Sequence, residues 1–157
     1  MSSPRRVLIV CTGNTCRSPM AEAIAINELA SGPPGGIPVR VQSAGVAAGP
    51  GAPMTNEAAQ ALEAMGVDPG RHRSQSLSPD LIERAEVIYT MTRAHAHAVL
   101  RLDPAAAPRV EPLDPTGEDV PDPIGQGFEV YRSTARRLRD LVRLRLAALA
   151  DPHARKD

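Results

Sequence analysis

Val7, Leu8, Ile9 and Val10 follow one another without a polar interruption, the pattern of a β-strand covered on both faces and so central in a parallel sheet. After a polar stretch at 11–17 comes Ser18-Pro19-Met20-Ala21-Glu22. A capping serine, a proline at the first helical position and an acid in the first turn predict a helix reaching Leu29 or Ala30. Gly32-Pro33-Pro34-Gly35-Gly36 then reads as a surface loop. Positions 39–43 alternate apolar and polar as a strand does, and Thr55 opens an alanine-rich helix reaching about Met65 before Gly66. Ser78-Pro79-Asp80-Leu81 starts a short helix, Val87-Ile88-Tyr89-Thr90-Met91 is a third strand, and 94–100 a further helix. Val110-Glu111-Pro112-Leu113 is a weaker fourth strand, whose proline places it at an edge or a strand end. Beyond a turn-rich segment at 114–127, Leu138, Leu141, Val142, Leu146 and Leu149 recur at helical spacing. They predict a long amphipathic helix packed on the sheet, its arginines forming a solvated face. The tail from Asp151 is expected to fray.

The β-α alternation describes a single α/β domain over residues 1–157, with a short, mostly parallel sheet and helices on both faces. Ligands in such folds bind at the carboxyl ends of the strands, where residues 11–18 lie. Composition narrows the chemistry. Lys+Arg and Asp+Glu number 18 each, so there is no global basic field to hold nucleic acid or an anionic membrane, and any anion site must be local. No apolar run is long enough to span a bilayer and no signal-peptide core opens the chain, which predicts a cytoplasmic protein. Its oligomeric state is left open. Two cysteines, Cys11 and Cys16, sit in one short segment, too few for a disulfide framework and without the further ligands that zinc needs. His95 and His97, two apart, point to different faces of a helix and cannot chelate as a pair. No metal site is expected.

Cys11-Thr12-Gly13-Asn14-Thr15-Cys16-Arg17-Ser18 places a cysteine at the end of the buried strand and an arginine at the mouth of the next helix. Consecutive backbone N–H groups turned inward at a helix N-terminus hold a phosphate dianion well. Gly13 and Asn14 tolerate the left-handed backbone such a nest requires. Arg17 adds a permanently charged fork; the same field favours a thiolate at Cys11, to which Ser18 can donate. An ATP-type loop is excluded, because its second glycine and its lysine are absent. Cys16 has two readings: a redox partner forming a reversible disulfide with Cys11, or a residue filling the loop's underside. Displacing a leaving group from phosphorus also calls for a proton donor; Asp114, Glu118, Asp119 and Asp122 are candidates in one region.

The string from Val10 to Glu22 resembles the signature of the low-molecular-weight protein tyrosine phosphatase family. Ser43-Ala44-Gly45, His72 before Ser74, and Asp122-Pro123 fall in the family's order, so the likeness covers nearly the whole chain. The resemblance implies a four-stranded parallel sheet, no metal or organic cofactor, phosphorylated protein substrates and a phosphocysteine intermediate. It makes Cys11 the nucleophile, Arg17 the phosphate clamp and Asp122 the general acid, with Asn14, Ser43 and His72 supporting the loop. The other loop residues, Thr12, Gly13, Thr15, Cys16 and Ser18, bind substrate. Within the family, Thr15 resembles the bacterial protein-arginine phosphatases, since tyrosine-directed members usually carry a bulky aliphatic there. Ile124 departs from both branches, which generally line the substrate slot with Tyr or Phe. Protein-arginine phosphatase is therefore the leading expectation and protein-tyrosine phosphatase the second. Arsenate reduction would need further relay cysteines, and a non-catalytic phosphate-binding module would be expected to lack the nucleophile or the acid.

Overall fold

The computed structural model describes residues 3–150; the tail expected to fray lies outside them. Four strands, β1 (Arg5–Cys11), β2 (Val39–Gly45), β3 (Val87–Thr90) and β4 (Val110–Pro112), form one parallel sheet in the order β2-β1-β3-β4. The uninterrupted apolar strand is central, and the proline-bearing strand is an edge, as the sequence pattern predicts. Five helices connect and cover it: α1 (Arg17–Leu29), α2 (Asn56–Glu63), α3 (Pro79–Arg84), α4 (Arg93–Leu102) and α5 (Phe128–Leu149). The Gly/Pro loop after α1 contains one short 3-10 turn, Pro34–Gly36.

Alternate residues of β1 serve two cores, because successive side chains of a strand point to opposite faces. Val7, Ile9 and Cys11 pack with α1, α2 and α5, including Met20, Ile24, Leu62 and Leu138. Leu8 and Val10 pack on the other face with Ile82 of α3, Val99 of α4 and Ile88. Fully buried side chains such as Met20, Ile24, Leu62 and Leu138 each contribute about 1.5–3 kcal/mol of hydrophobic stabilisation. With strands buried on both faces, β1 ends rigidly at the point where the polar loop begins.

Three local expectations change. First, α1 starts at Arg17, so Ser18 is not its cap and Glu22 is not in its first turn; Cys16 occupies the cap position without a side-chain hydrogen bond. The hydroxyl of Ser18 is taken instead by the loop described below. Second, Gly13 does not supply the left-handed residue; Asn14 does, with φ 56°. Third, the arginines of α5 are more than a solvated face: Arg137 bonds Asp114 at 2.8 Å, Arg143 bonds Glu28 at 2.8 Å, and Arg145 lies over the Tyr89 ring at 4.9 Å. Gly45 closes β2 where nothing larger fits, since a Cβ there would run into the Thr12 carbonyl oxygen and stand 3.0 Å from the Asn14 nitrogen. The end of β2 is thereby packed directly against the loop that leaves β1.

Candidate active site

Cys11, the last residue of β1, is 2% exposed, and its Sγ lies 2.8 Å from the hydroxyl of Ser18 in the first turn of α1. Between them the chain makes a tight reversal. Asn14 sits at its centre, fully buried, in a backbone conformation that costs a non-glycine residue about 1–2 kcal/mol. Its side chain offsets that cost. Oδ1 accepts the Gln75 backbone N–H at 2.9 Å, which fixes the orientation of the amide, and Nδ2 then donates to Ser18 and Ser43, each at 2.9 Å. The Asn14 carbonyl accepts from His72 Nε2 at 2.6 Å. Because Ser18 accepts from Asn14, its own proton is left for the sulfur of Cys11. The Ser43 hydroxyl in turn donates a hydrogen bond to the carboxylate of Glu22. Burial pushes the Glu22 carboxyl up from its ordinary range, while the Ser43 hydroxyl and the nearby His72 oppose the shift.

The backbone N–H groups of residues 12–18 find no acceptor among the described residues. Unpaired amides turned into a loop at a helix N-terminus are the donors of an anion nest. Arg17 adds its charge from beneath: it is 4% exposed, donates from Nη1 to the Val120 carbonyl at 2.8 Å and from Nη2 to Thr12 Oγ1 at 3.3 Å. Nη2 also stands 3.6 Å from Asp122 Oδ2. The other oxygen of Asp122 accepts the Ile124 N–H at 3.1 Å, so a turn around Pro123 aims the carboxylate at the arginine. Two of the three competing acids are engaged elsewhere. Asp114 is buried against Arg137 and Thr116, whose hydrogen bonds hold its carboxyl below the usual range. Asp119 accepts the Arg93 N–H at 2.9 Å at the start of α4, and Glu118 is exposed.

The sequence-predicted residues thus converge, with Ser43 and His72 joined to the loop through Asn14. Thr15 is half-buried, its hydroxyl 3.9 Å from Cys16 Sγ. Cys16 is a free thiol packed in the core beneath the loop, 3.4 Å from the Tyr131 hydroxyl and 3.6 Å from that of Thr55. Ile124, 60% exposed, stands beside Asp122 at the rim. Sequence reasoning missed Gln75, and it named Glu22, Gly45 and His95 without giving them a part in the loop. Glu22 carried a signal, as an acid flanked by alanines on a helix face that is otherwise apolar; Gln75, whose backbone N–H holds Asn14 and whose side-chain amide donates to the Ser43 carbonyl at 3.0 Å, carried none. His95, weighed only as a metal ligand, is buried at 4% exposure with Nε2 2.8 Å from Thr12 Oγ1. Burial and the charge of Arg17 lower its pKa from 6.5 to about 4, against the smaller pull of Asp119 and Asp122.

Among the described residues, no group of three or more His, Cys, Asp or Glu could hold a metal ion, and no helix is long and apolar enough to cross a membrane.

Comparison with known proteins bears on this geometry. A protein-arginine-phosphatase of Geobacillus stearothermophilus is 36% identical over 143 residues, covering 88% of this chain and 92% of that protein. A probable low molecular weight protein-tyrosine-phosphatase, EpsP of Ralstonia nicotianae, is also 36% identical, over 128 residues, covering 81% and 83%. The solved structure of a YwlE arginine phosphatase, a cysteine-to-serine mutant with a phosphorylated active-site serine, superposes with a TM-score of 0.86 at 31% identity, covering 96% of this chain and 99% of that one. The family model for low molecular weight phosphotyrosine protein phosphatase matches residues 6–154, and the chain belongs to that family.

Proposed function

We propose that this protein is a cysteine-dependent protein phosphatase whose preferred substrate is phosphoarginine. The Cys11 thiolate attacks phosphorus while the loop amides and Arg17 hold the phosphoryl oxygens. The bond from phosphorus to the leaving nitrogen or oxygen breaks, and the leaving atom takes its proton from Asp122. Water then attacks the phosphocysteine, Asp122 accepts a proton from it, the P–S bond breaks, and phosphate and the Cys11 thiolate are released. The 3.6 Å separation of Asp122 from the buried Arg17 supports this assignment, because it puts the proton donor beside the group that would clamp the phosphate. The phosphorylated serine in the related YwlE structure is consistent with a covalent intermediate on the residue corresponding to Cys11.

Overall identity does not choose the substrate, since an arginine- and a tyrosine-directed relative are both 36% identical, the first over 143 residues and the second over 128. Thr15 carries the choice. Its hydroxyl has only a 3.9 Å sulfur contact and is free to accept from a planar guanidinium near phosphorus. A branched aliphatic there would leave guanidinium N–H groups unpaired, at about 1–3 kcal/mol. Phosphotyrosine is the second reading, favoured by the probable tyrosine-phosphatase relative of equal identity; the exposed Ile124 offers neither substrate an aromatic face to stack on. The test is kcat/KM on matched phosphoarginine and phosphotyrosine peptides, without and with chelator, for wild type and Thr15→Ile. Wild type should prefer phosphoarginine, and Thr15→Ile should move the ratio toward phosphotyrosine by about tenfold or more. A wild-type preference for phosphotyrosine, or an unchanged ratio in Thr15→Ile, overturns the substrate assignment.

A further inference from the structure

His95 lies on α4, an element with no residue in the phosphate loop, yet its ring reaches that loop. Its two nitrogens do different things. Nδ1 faces the Thr92 backbone N–H at 3.2 Å, and a backbone N–H can only donate, so Nδ1 is the accepting nitrogen. In a neutral imidazole the proton is then on Nε2, and Nε2–H donates to Thr12 Oγ1 at 2.8 Å. Thr12 Oγ1 also accepts from Arg17 Nη2 at 3.3 Å. A hydroxyl has two lone pairs and one proton. Both lone pairs are therefore spoken for by donors that cannot reverse, and Thr12 is left as a pure donor. The side chain is exposed at the mouth of the loop, on the same guanidinium nitrogen that approaches Asp122.

We infer that His95 is a positioning residue that fixes Thr12 as an obligate hydrogen-bond donor to the substrate's phosphoryl group. The inference rests on the phosphatase reading above and deepens it, giving the two loop threonines opposite polarities. Thr12 can only donate, which suits a phosphoryl oxygen and not a guanidinium. Thr15 keeps its lone pairs for the guanidinium. Burial and the adjacent Arg17 keep the imidazole neutral, with a pKa of about 4, so the arrangement holds wherever the enzyme would be assayed. The second function of His95 is structural: with Thr92 it closes a reciprocal cap at the start of α4.

Amide substitutions separate the two functions. In His95→Gln the carbonyl oxygen and the amide nitrogen replace Nδ1 and Nε2 with similar reach, keeping both the cap and the bond to Thr12. His95→Asn is shorter, keeping an acceptor for the Thr92 N–H but losing the donor to Thr12. The experiment measures kcat, KM and the inhibition constant of inorganic phosphate on an aryl phosphate for wild type, His95→Asn, His95→Gln, Thr12→Val and the double variant His95→Asn/Thr12→Val. Melting temperature serves as the folding control. Because the hydroxyl meets a phosphoryl oxygen in bound substrate and bound phosphate alike, His95→Asn and Thr12→Val should each raise KM and the phosphate inhibition constant about tenfold with kcat within about twofold. The double variant should be no worse than either single one, and His95→Gln should restore wild-type values. Wild-type constants in His95→Asn, additive losses in the double variant, or failure of His95→Gln to restore binding while its melting temperature is unchanged would each overturn the inference. If His95→Gln melts early, the non-additivity of the other two variants decides alone. Absence of aryl phosphate turnover in the wild type would instead remove the phosphatase reading itself.

Discussion

At the scale of single residues, the site is organised by Asn14 more than by the residue proposed to react. A buried carboxamide that spends all three of its hydrogen bonds on Ser18, Ser43 and Gln75 holds a left-handed turn that the chain would otherwise leave. The network ends at Cys11 Sγ with a hydroxyl whose proton has nowhere else to go. Cys11→Ser tests the division of labour this implies. Turnover should be lost, because a serine here has no base to activate it. Binding of inorganic phosphate should stay within a few-fold of wild type, because the amides and Arg17 are untouched. Steady-state turnover together with calorimetric phosphate binding measures both, and a residual rate of about a tenth of wild type is incompatible with a phosphocysteine mechanism.

At the scale of elements, the loop between β1 and α1 is held from four directions: by Gly45 at the end of β2, by His72 and Gln75 in the segment before α3, by His95 of α4, and by Val120 through Arg17. Cys16 is the loop's contact with the core, against Tyr131 of α5 and Thr55 at the start of α2. That packing is what a filler of the loop's underside would make, and it leaves a free thiol in the same loop as Cys11. We expect peroxide to inactivate the enzyme reversibly by forming a Cys11–Cys16 disulfide, while in Cys16→Ser the oxidised Cys11 proceeds to irreversible acids. Mass spectrometry of the oxidised wild type checks this directly. Finding no intramolecular disulfide would leave Cys16 with its packing role alone.

At the scale of the whole molecule, two buried ionisable groups, His95 and Asp114, and the half-buried Glu22 make stability depend on pH. The folded state lowers the pKa of His95 from 6.5 to about 4, so it binds fewer protons there than the unfolded chain does. The stability that goes with the neutral imidazole is complete above pH 6.5 and is lost as pH falls toward 4. Asp114, held below 3.8 by Arg137 and Thr116, adds a second loss at still lower pH. Glu22, raised above 4.5 by burial, works in the opposite sense, its contribution being present at acid pH and lost as pH rises through its folded value. The melting temperature should therefore fall between pH 6.5 and pH 4. His95→Gln, which cannot titrate, should show a flatter profile over that interval; an equally steep profile would assign the acid sensitivity to other groups.

The order of elements, the central place of β1 and the edge place of β4 were readable from local pattern, because a strand covered on both faces must be apolar throughout and a proline cannot donate to a ladder. So was the segment proposed to carry the chemistry, since Cys11, Asn14, Arg17 and Ser18 are close in sequence and their spacing is set by one turn. Asp122 was legible only by resemblance; from the residues alone it was one carboxylate among four. Tertiary structure sets the four apart by position, with Asp114 buried against Arg137, Asp119 engaged at α4 and Asp122 beside Arg17, which supports the role proposed for Asp122. It also decided what no periodicity could carry: Ser18 serving the thiol and not the helix end, of the two roles the sequence offered it, Glu22 closing a network begun at Cys11, and His95 fixing the polarity of Thr12 from 83 residues away. Local pattern reports which residues are buried and which backbone a turn requires. The direction of a hydrogen bond depends on which partner is brought opposite, and that is settled only when the sheet sets its four strands side by side.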